Sequence, residues 1–239
     1  SGISWRYFLA DLDADLGLSN LDVLLGLVPV HTLEHVLAGE KRLEEIILTG
    51  PAGVQILPAS SGIQELTALT SDQQQLLRDE FDRLAQDVDV LLIETSQDIL
   101  EVKAAIRGIH KAFDETQVYL PIQAQVTLDT TGRMLLGTDV AAALAILEGM
   151  GIDVIGLNCS TGPEHMREPI RVLGENATLP VSCIPNAGLP LNVDGQAVYP
   201  LEPEPFANDL YEFVTKHNIS IVGGCCGTTP EHLKLLVEK

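Results

Sequence analysis

Val154-Ile155-Gly156-Leu157-Asn158-Cys159-Ser160-Thr161-Gly162-Pro163 contains the unit from which the chain is built. A short apolar run rich in Val and Ile ends in a cluster of Gly, Asn, Ser and Pro, and a segment of helical period follows from Pro163 to Leu173. That sequence of signals reads as a strand, a turn at its carboxyl end and a covering helix. The unit recurs along the chain. Strands are predicted near Tyr7 to Leu12, Val54 to Pro58, Val88 to Ile93, Leu120 to Val126, Val154 to Leu157, Val181 to Ile184 and Ile219 to Val222. Helices are predicted near Gln64 to Gln86, Ile99 to Phe113, Asp139 to Met150, Pro163 to Leu173, Pro205 to His217 and Pro230 to Glu238. The alternation predicts an α/β fold with a parallel, (β/α) barrel-like sheet, whose chemistry gathers at the carboxyl ends of the strands. The count of seven strands falls one short of a closed eight-stranded barrel, and the shortfall lies in the first third. An unpaired sheet edge then leaves room for a homodimer.

Two of those strand ends carry thiols. Cys159 follows Gly156-Leu157-Asn158, and Cys225-Cys226 follow Ile221-Val222-Gly223-Gly224 and precede Gly227-Thr228-Thr229-Pro230. Adjacent strand residues point to opposite faces, so Cys225 and Cys226 serve one ion only if the backbone turns sharply there, which the flanking glycines permit. Three thiolates suit Zn²⁺, and a fourth position left to substrate marks a catalytic site. Cys183, inside Val181-Ser182-Cys183-Ile184, fits a core strand position. The histidines His31, His35, His110, His217 and His232 sit among polar neighbours and read as surface residues, and His165 falls in a first helical turn.

Composition narrows the partners. Asp and Glu outnumber Lys and Arg by 34 to 14 in 239 residues, a formal net charge of -20. That field repels nucleic acid phosphates and anionic membrane surfaces. Apolar runs are far shorter than the roughly 20 residues that span a bilayer. Four cysteines, two adjacent, do not form a secreted disulfide framework, and a cytoplasmic location is expected.

From about Leu91 to Lys239 the chain resembles the homocysteine-binding barrel of cobalamin-dependent methionine synthases and homocysteine S-methyltransferases. The carriers are Leu92-Ile93-Glu94-Thr95, Gly156-Leu157-Asn158-Cys159-Ser160, Pro185-Asn186-Ala187-Gly188-Leu189-Pro190 and Gly223-Gly224-Cys225-Cys226-Gly227-Thr228-Thr229-Pro230. The resemblance implies that Cys159, Cys225 and Cys226 bind zinc and that Asn186 fills the fourth site when substrate is absent. It also implies that Glu94 helps hold the amino group of homocysteine, with Asn158 beside it. The methyl donor is left open by the resemblance, between methylcobalamin as an external donor carried on another module and small molecules such as betaine or S-methylmethionine. The family's first-strand Asp-Gly-Ala-Met-Gly-Thr motif does not occur in the chain.

From about Leu12 to Val90 the chain instead resembles MinD/ParA-type ATPases, through Leu12-Asp13-Ala14-Asp15-Leu16-Gly17 and the residues to Leu27, and through Ile56-Leu57-Pro58-Ala59-Ser60-Ser61-Gly62. The phosphate loop of that family, with its Gly-Lys-Thr/Ser, is absent from the chain, so nucleotide hydrolysis is not expected. Together the likenesses predict a chimera: an ATPase-like βα fragment at 1–90 and a methyltransferase-like half-barrel at 91–239, joined in one globular domain. The competing readings are a recombined or engineered scaffold without chemistry, and a MinD-like ATPase.

Overall fold

The computed structural model describes residues 10–12, 29–49, 55–57, 70–84, 89–193 and 195–239. The chain divides into two compact units, residues 1–88 and 89–239. In the first, β1 (Ala10–Leu12) pairs parallel with β3 (Gln55–Leu57), and β2 (Leu48–Thr49) pairs antiparallel with β3. Helices α1 (Leu33–Leu37), α2 (Leu43–Ile46) and α3 (Ser71–Leu84) complete it. Leu33 with Val36 and Leu43 with Ile46 repeat at three residues, which puts each pair on one helix face; all four are buried with Leu57. The buried carboxylate of Glu80 accepts the Leu43 N–H at 2.8 Å and so satisfies a first-turn donor of α2. Asp13 and Asp15, with the rest of 13–28, lie outside the described residues, as do 58–69.

The second unit holds a five-stranded, all-parallel sheet: β4 (Leu91–Ser96), β5 (Ile122–Val126), β6 (Val154–Asn158), β7 (Val181–Ile184) and β10 (Ile221–Val222). Its spatial order is β10-β7-β6-β5-β4. Each strand thus lies beside the one before it, with no reversal of order. In a doubly wound sheet the order reverses at a switch point; an unreversed order with right-handed crossovers keeps the helices on one face, as in a barrel. The crossovers are α4 (Ile99–Thr116), α5 (Val140–Glu148), α6 (Pro163–Asn176) and α7 (Pro203–His217), and α8 (Pro230–Val237) follows β10. Asp98 and Asp139 cap α4 and α5 by accepting the N–H groups of Leu100 and Ala142, and Pro163, Pro203 and Pro230 open the other three.

Alternate strand residues fill the helix-side core. Ala124, Val126, Ile155, Leu157, Val181 and Cys183 pack with Val102 and Ile106 of α4, Met166 and Ile170 of α6 and Phe206 and Phe213 of α7. Burying each large side chain contributes about 1.5–3 kcal/mol. Cys183 is fully buried, as expected, and burial pushes its thiol up. On the opposite sheet face Gln125, Gly156, Ser182 and Ile221 stand in register, and Gln123 and Gln125 both donate to Ser182 Oγ. Position 156 must be glycine, because a Cβ would stand 2.6 Å from Ser182 O.

Two expectations change. Among the described residues the strands assigned to one barrel fall into two sheets, and the five-stranded sheet has β4 and β10 at its edges. The first-unit ladders are only two or three residues long, and one is antiparallel, which a (β/α) repeat does not contain. A hairpin, β8 (Leu191–Val193) and β9 (Gln196–Val198), also interrupts the β7 to α7 crossover. Among the described residues no helix is long and apolar enough to cross a membrane.

Candidate metal centre and substrate site

Asn158, Cys159, Asn186, Cys225 and Cys226 stand at or just beyond the carboxyl ends of β6, β7 and β10, and Glu94 lies two residues before the end of β4. Three main-chain contacts bind these ends together. Cys159 N–H donates to Ile184 O at 3.1 Å, Cys225 N–H to Pro185 O at 2.9 Å, and Ala187 N–H to Cys226 O at 2.9 Å. Cys159 and Ser160 both adopt left-handed φ values, 60° and 61°, an uncommon conformation for residues with a Cβ. The chain is thereby bent out of the strand direction as it leaves β6. At the other end Thr228 N–H and Oγ1 both donate to Cys225 O, closing a turn with Gly227 at its third position and φ 77°. That position in a type II turn needs φ above zero, which glycine adopts without penalty. The turn lets two adjacent cysteines face one point.

The sulfurs of Cys159, Cys225 and Cys226 lie within 4.8 Å of one another. Cys159 Sγ is 3.8 Å from Cys226 Sγ, which is 3.9 Å from Cys225 Sγ. Thiolates about 2.3 Å from one tetrahedral ion stand about 3.8 Å apart, so the cluster fits Zn²⁺. Within it, hydrogen bonds from Cys159 and then Cys225 push the Cys226 thiol down. Cys225 is pushed up by Cys159 and then Cys226, since its neighbours compete for the same proton. For Cys159 the Cys225 contact pulls down, but the Cys226 contact and burial outweigh it.

Asn158 is fully buried, and its amide is spent on β4. Oδ1 accepts the Thr95 N–H at 2.8 Å, and Nδ2 donates to Thr95 Oγ1 at 2.6 Å and to Glu94 Oε2 at 3.1 Å. Thr95 takes a left-handed φ of 55° at a register shift of β4, so Glu94 sits exposed on a bulge that Asn158 pins. Asn186, also buried, accepts the Cys226 N–H through Oδ1 at 3.0 Å.

Sequence reading missed Tyr199, just past β9. Its ring lies against Gly227, where a Cβ would come within 2.2 Å of Tyr199 Cγ. Burial, then the Cys226 charge, pushes the phenol up to about 12. The surface assignment of His232 is corrected: it is buried, with Nδ1 accepting the Thr229 N–H at 3.1 Å and Nε2 2.9 Å from Leu201 O. The polar neighbours that suggested exposure are its hydrogen-bond partners. His165 lines a groove of about 450 Å³ with Pro163, Leu189 and Leu201, and is not part of the sulfur cluster.

The homocysteine S-methyltransferase family model matches residues 48–239. The chain belongs to this family. Its match begins inside the stretch that resembles ATPases, so residues 48–90 fall within the methyltransferase family and the expected junction near residue 90 is not where the likeness starts. The chain is similar to the methionine synthase of Mycobacterium leprae (strain TN), 48% identical over 146 residues. It is equally similar, at 48% over 146 residues, to that of Mycobacterium tuberculosis (strain ATCC 25618 / H37Rv). The matched stretch is 61% of this chain and only 12% of either synthase. Among solved structures, the apo form of the homocysteine methyltransferase MmuM from Escherichia coli aligns with a TM-score of 0.52 at 22% identity, covering 69% of this chain and 55% of that one. The metallated form aligns with a TM-score of 0.50 at 19% identity, covering 79% and 63%. These two likenesses concern the fold.

Proposed function

We propose that this family member transfers a methyl group to the sulfur of homocysteine at a zinc centre formed by Cys159, Cys225 and Cys226. The observation that carries the reading is the convergence of three sulfurs at tetrahedral spacing. Zn²⁺, when bound, would keep the substrate thiol deprotonated at neutral pH. The residues supply the rest. The loops from β6, β7 and β10 hold the cysteines through main-chain bonds, and Asn186 holds Cys226. Its Oδ1 has a second lone pair, which we assign to the fourth position when substrate is absent. Glu94 receives the substrate's ammonium group, and Asn158 orients Glu94 from beneath. In the transfer an S–CH₃ bond forms on homocysteine as the donor's bond to that carbon breaks.

Where methylcobalamin is the donor, it would be presented to this site by another module. A scaffold without chemistry offers no reason for three thiols to meet, and the chain lacks the phosphate loop of an ATPase. A second copy could pair along the β4 or β10 edge; a monomer by light scattering counts against that. Calorimetry of homocysteine binding to zinc-loaded and zinc-free protein, followed by a methylcobalamin transfer assay, tests the function. Zinc-dependent binding is expected, and equal binding without zinc would refute the reading.

A further inference from the structure

His165 and the groove it lines have no part in the centre just described. The groove holds about 450 Å³, within the range of about 300–1,000 Å³ usual for small-molecule sites. It lies between the first turn of α6, Asp209 of α7 and the two ends of the β8–β9 excursion. Two glycines form its back. A Cβ on Gly162 would stand 2.6 Å from Gly188 Cα, and one on Gly188 would stand 3.2 Å from Leu201 Cβ, so larger residues would push these segments apart. Pro163, Leu189, Pro200 and Leu201 give the groove apolar walls.

We propose that this groove is a second ligand site, for a small organic cation with an apolar body. Charge decides the class. Among the described residues the lining holds one permanent cation, Arg167, and both arms of its guanidinium are occupied: Nη1 donates to Glu212 at 3.0 Å and Nη2 to Asp209. Glu164 is open by contrast. Its carboxylate has no hydrogen bond or ion pair among the described residues, and the ring of His165 beside it has no hydrogen-bond partner there. An ammonium group brings one positive charge and N–H donors, which a carboxylate and an imidazole nitrogen accept, while its hydrocarbon part leaves water against the prolines and leucines. An anion finds no free cation in the lining, and the net charge of -20 repels it on approach. A neutral apolar molecule would partly desolvate Glu164 without pairing it. The site goes beyond the methyltransferase reading and stands without it. It adjoins the centre through the main chain: Thr161 O, next to Gly162, accepts at 3.0 Å the N–H of Asn186, two residues before Gly188.

The test titrates the full chain at pH 7 with cyclohexylamine, cyclohexanol and cyclohexanecarboxylate, followed by saturation-transfer NMR. The three probes share one ring and carry a positive, a neutral and a negative head. Cyclohexylamine is expected to bind about two- to fivefold more tightly than the alcohol, the scale of one partly exposed ion pair, and the carboxylate most weakly. Glu164→Gln removes only an exposed charge, and it should bring the amine down to the affinity of the alcohol while leaving the alcohol unchanged. Leu191→Arg, at a groove residue 51% exposed, should reverse the order of amine and carboxylate. Equal binding of the three probes to wild type, or no binding of the amine, overturns the proposal. So does an amine affinity untouched by Glu164→Gln, or an equal loss of amine and alcohol in that variant, which would mean a distorted groove. Zinc content and homocysteine calorimetry report on the methyltransferase reading separately, and zinc-free protein should bind the amine as the loaded protein does.

Discussion

Replacing Asn158 by Asp asks whether a buried amide sets the substrate anchor. Asp has nearly the same shape and keeps the oxygen that accepts the Thr95 N–H at 2.8 Å, so the bulge in β4 retains its main partner. What changes is the group 3.1 Å from Glu94 Oε2 and 2.6 Å from Thr95 Oγ1: a donor becomes an acceptor. Two carboxylates at that separation disfavour joint ionisation, so one takes a proton or Glu94 swings away. A hydrogen bond to a charged group is worth about 1.5–3 kcal/mol, which at about 1.4 kcal/mol per tenfold corresponds to roughly 12- to 150-fold in Kd. Calorimetry on zinc-loaded protein should therefore show homocysteine binding weakened by about one to two orders of magnitude. Zinc content should be unchanged, because no sulfur is touched. Homocysteine affinity equal to wild type would refute the chain of contacts from Asn158 through Glu94 to substrate.

Gly227→Ala places a Cβ at φ 77° and against the Tyr199 ring; the left-handed backbone alone costs about 1–2 kcal/mol, so the unfolding midpoint should fall by about 2–8 °C, and an unchanged midpoint would contradict the turn geometry. Gly174→Ala puts a Cβ 2.1 Å from His217 O, forcing α6 away from the end of α7. That overpacking should cost about 1–3 kcal/mol in denaturant unfolding while zinc content stays the same, and wild-type stability would show that the helices do not meet there. In zinc-free protein the Cys226 thiol is held down by Cys159 and Cys225, so its thiolate persists as pH falls and iodoacetamide labelling at Cys226 should continue at pH 6. An ordinary thiol with pKa about 8.5 is under about 1% ionised at that pH; a labelling rate that drops tenfold per unit from there would show that the sulfurs do not share a proton.

The parts of the site that were legible in sequence are those whose signal is local. Cys159, Asn186 and the Cys225-Cys226 pair each follow an apolar run directly, and strand ends converge in any parallel sheet of consecutive order. The glycine at 227 announced the turn that joins the pair. The role of Asn158 was half legible: its position beside Glu94 was expected, but not that its amide would be consumed by Thr95 and Glu94, since the register shift in β4 leaves no mark on composition. Tyr199 was invisible for a related reason. It reaches Gly227 only because a hairpin of three-residue strands turns back there, and strands that short carry no readable period. In the first third, α1, α2 and β2 are two to five residues long and hold together by packing of Leu33, Val36, Leu43 and Ile46, not by local propensity. The residues quoted for the ATPase likeness lie mostly outside those described, and the methyltransferase family model reaches back to residue 48.

The account stands on three sulfurs holding one metal. Equilibrium dialysis against zinc under reducing conditions, with metal content measured for wild type and for a Cys225→Ser, Cys226→Ser variant, tests that directly. One equivalent bound by the wild type and lost from the variant is the predicted result. A wild type that retains no zinc, or a variant that still binds a full equivalent, would contradict it.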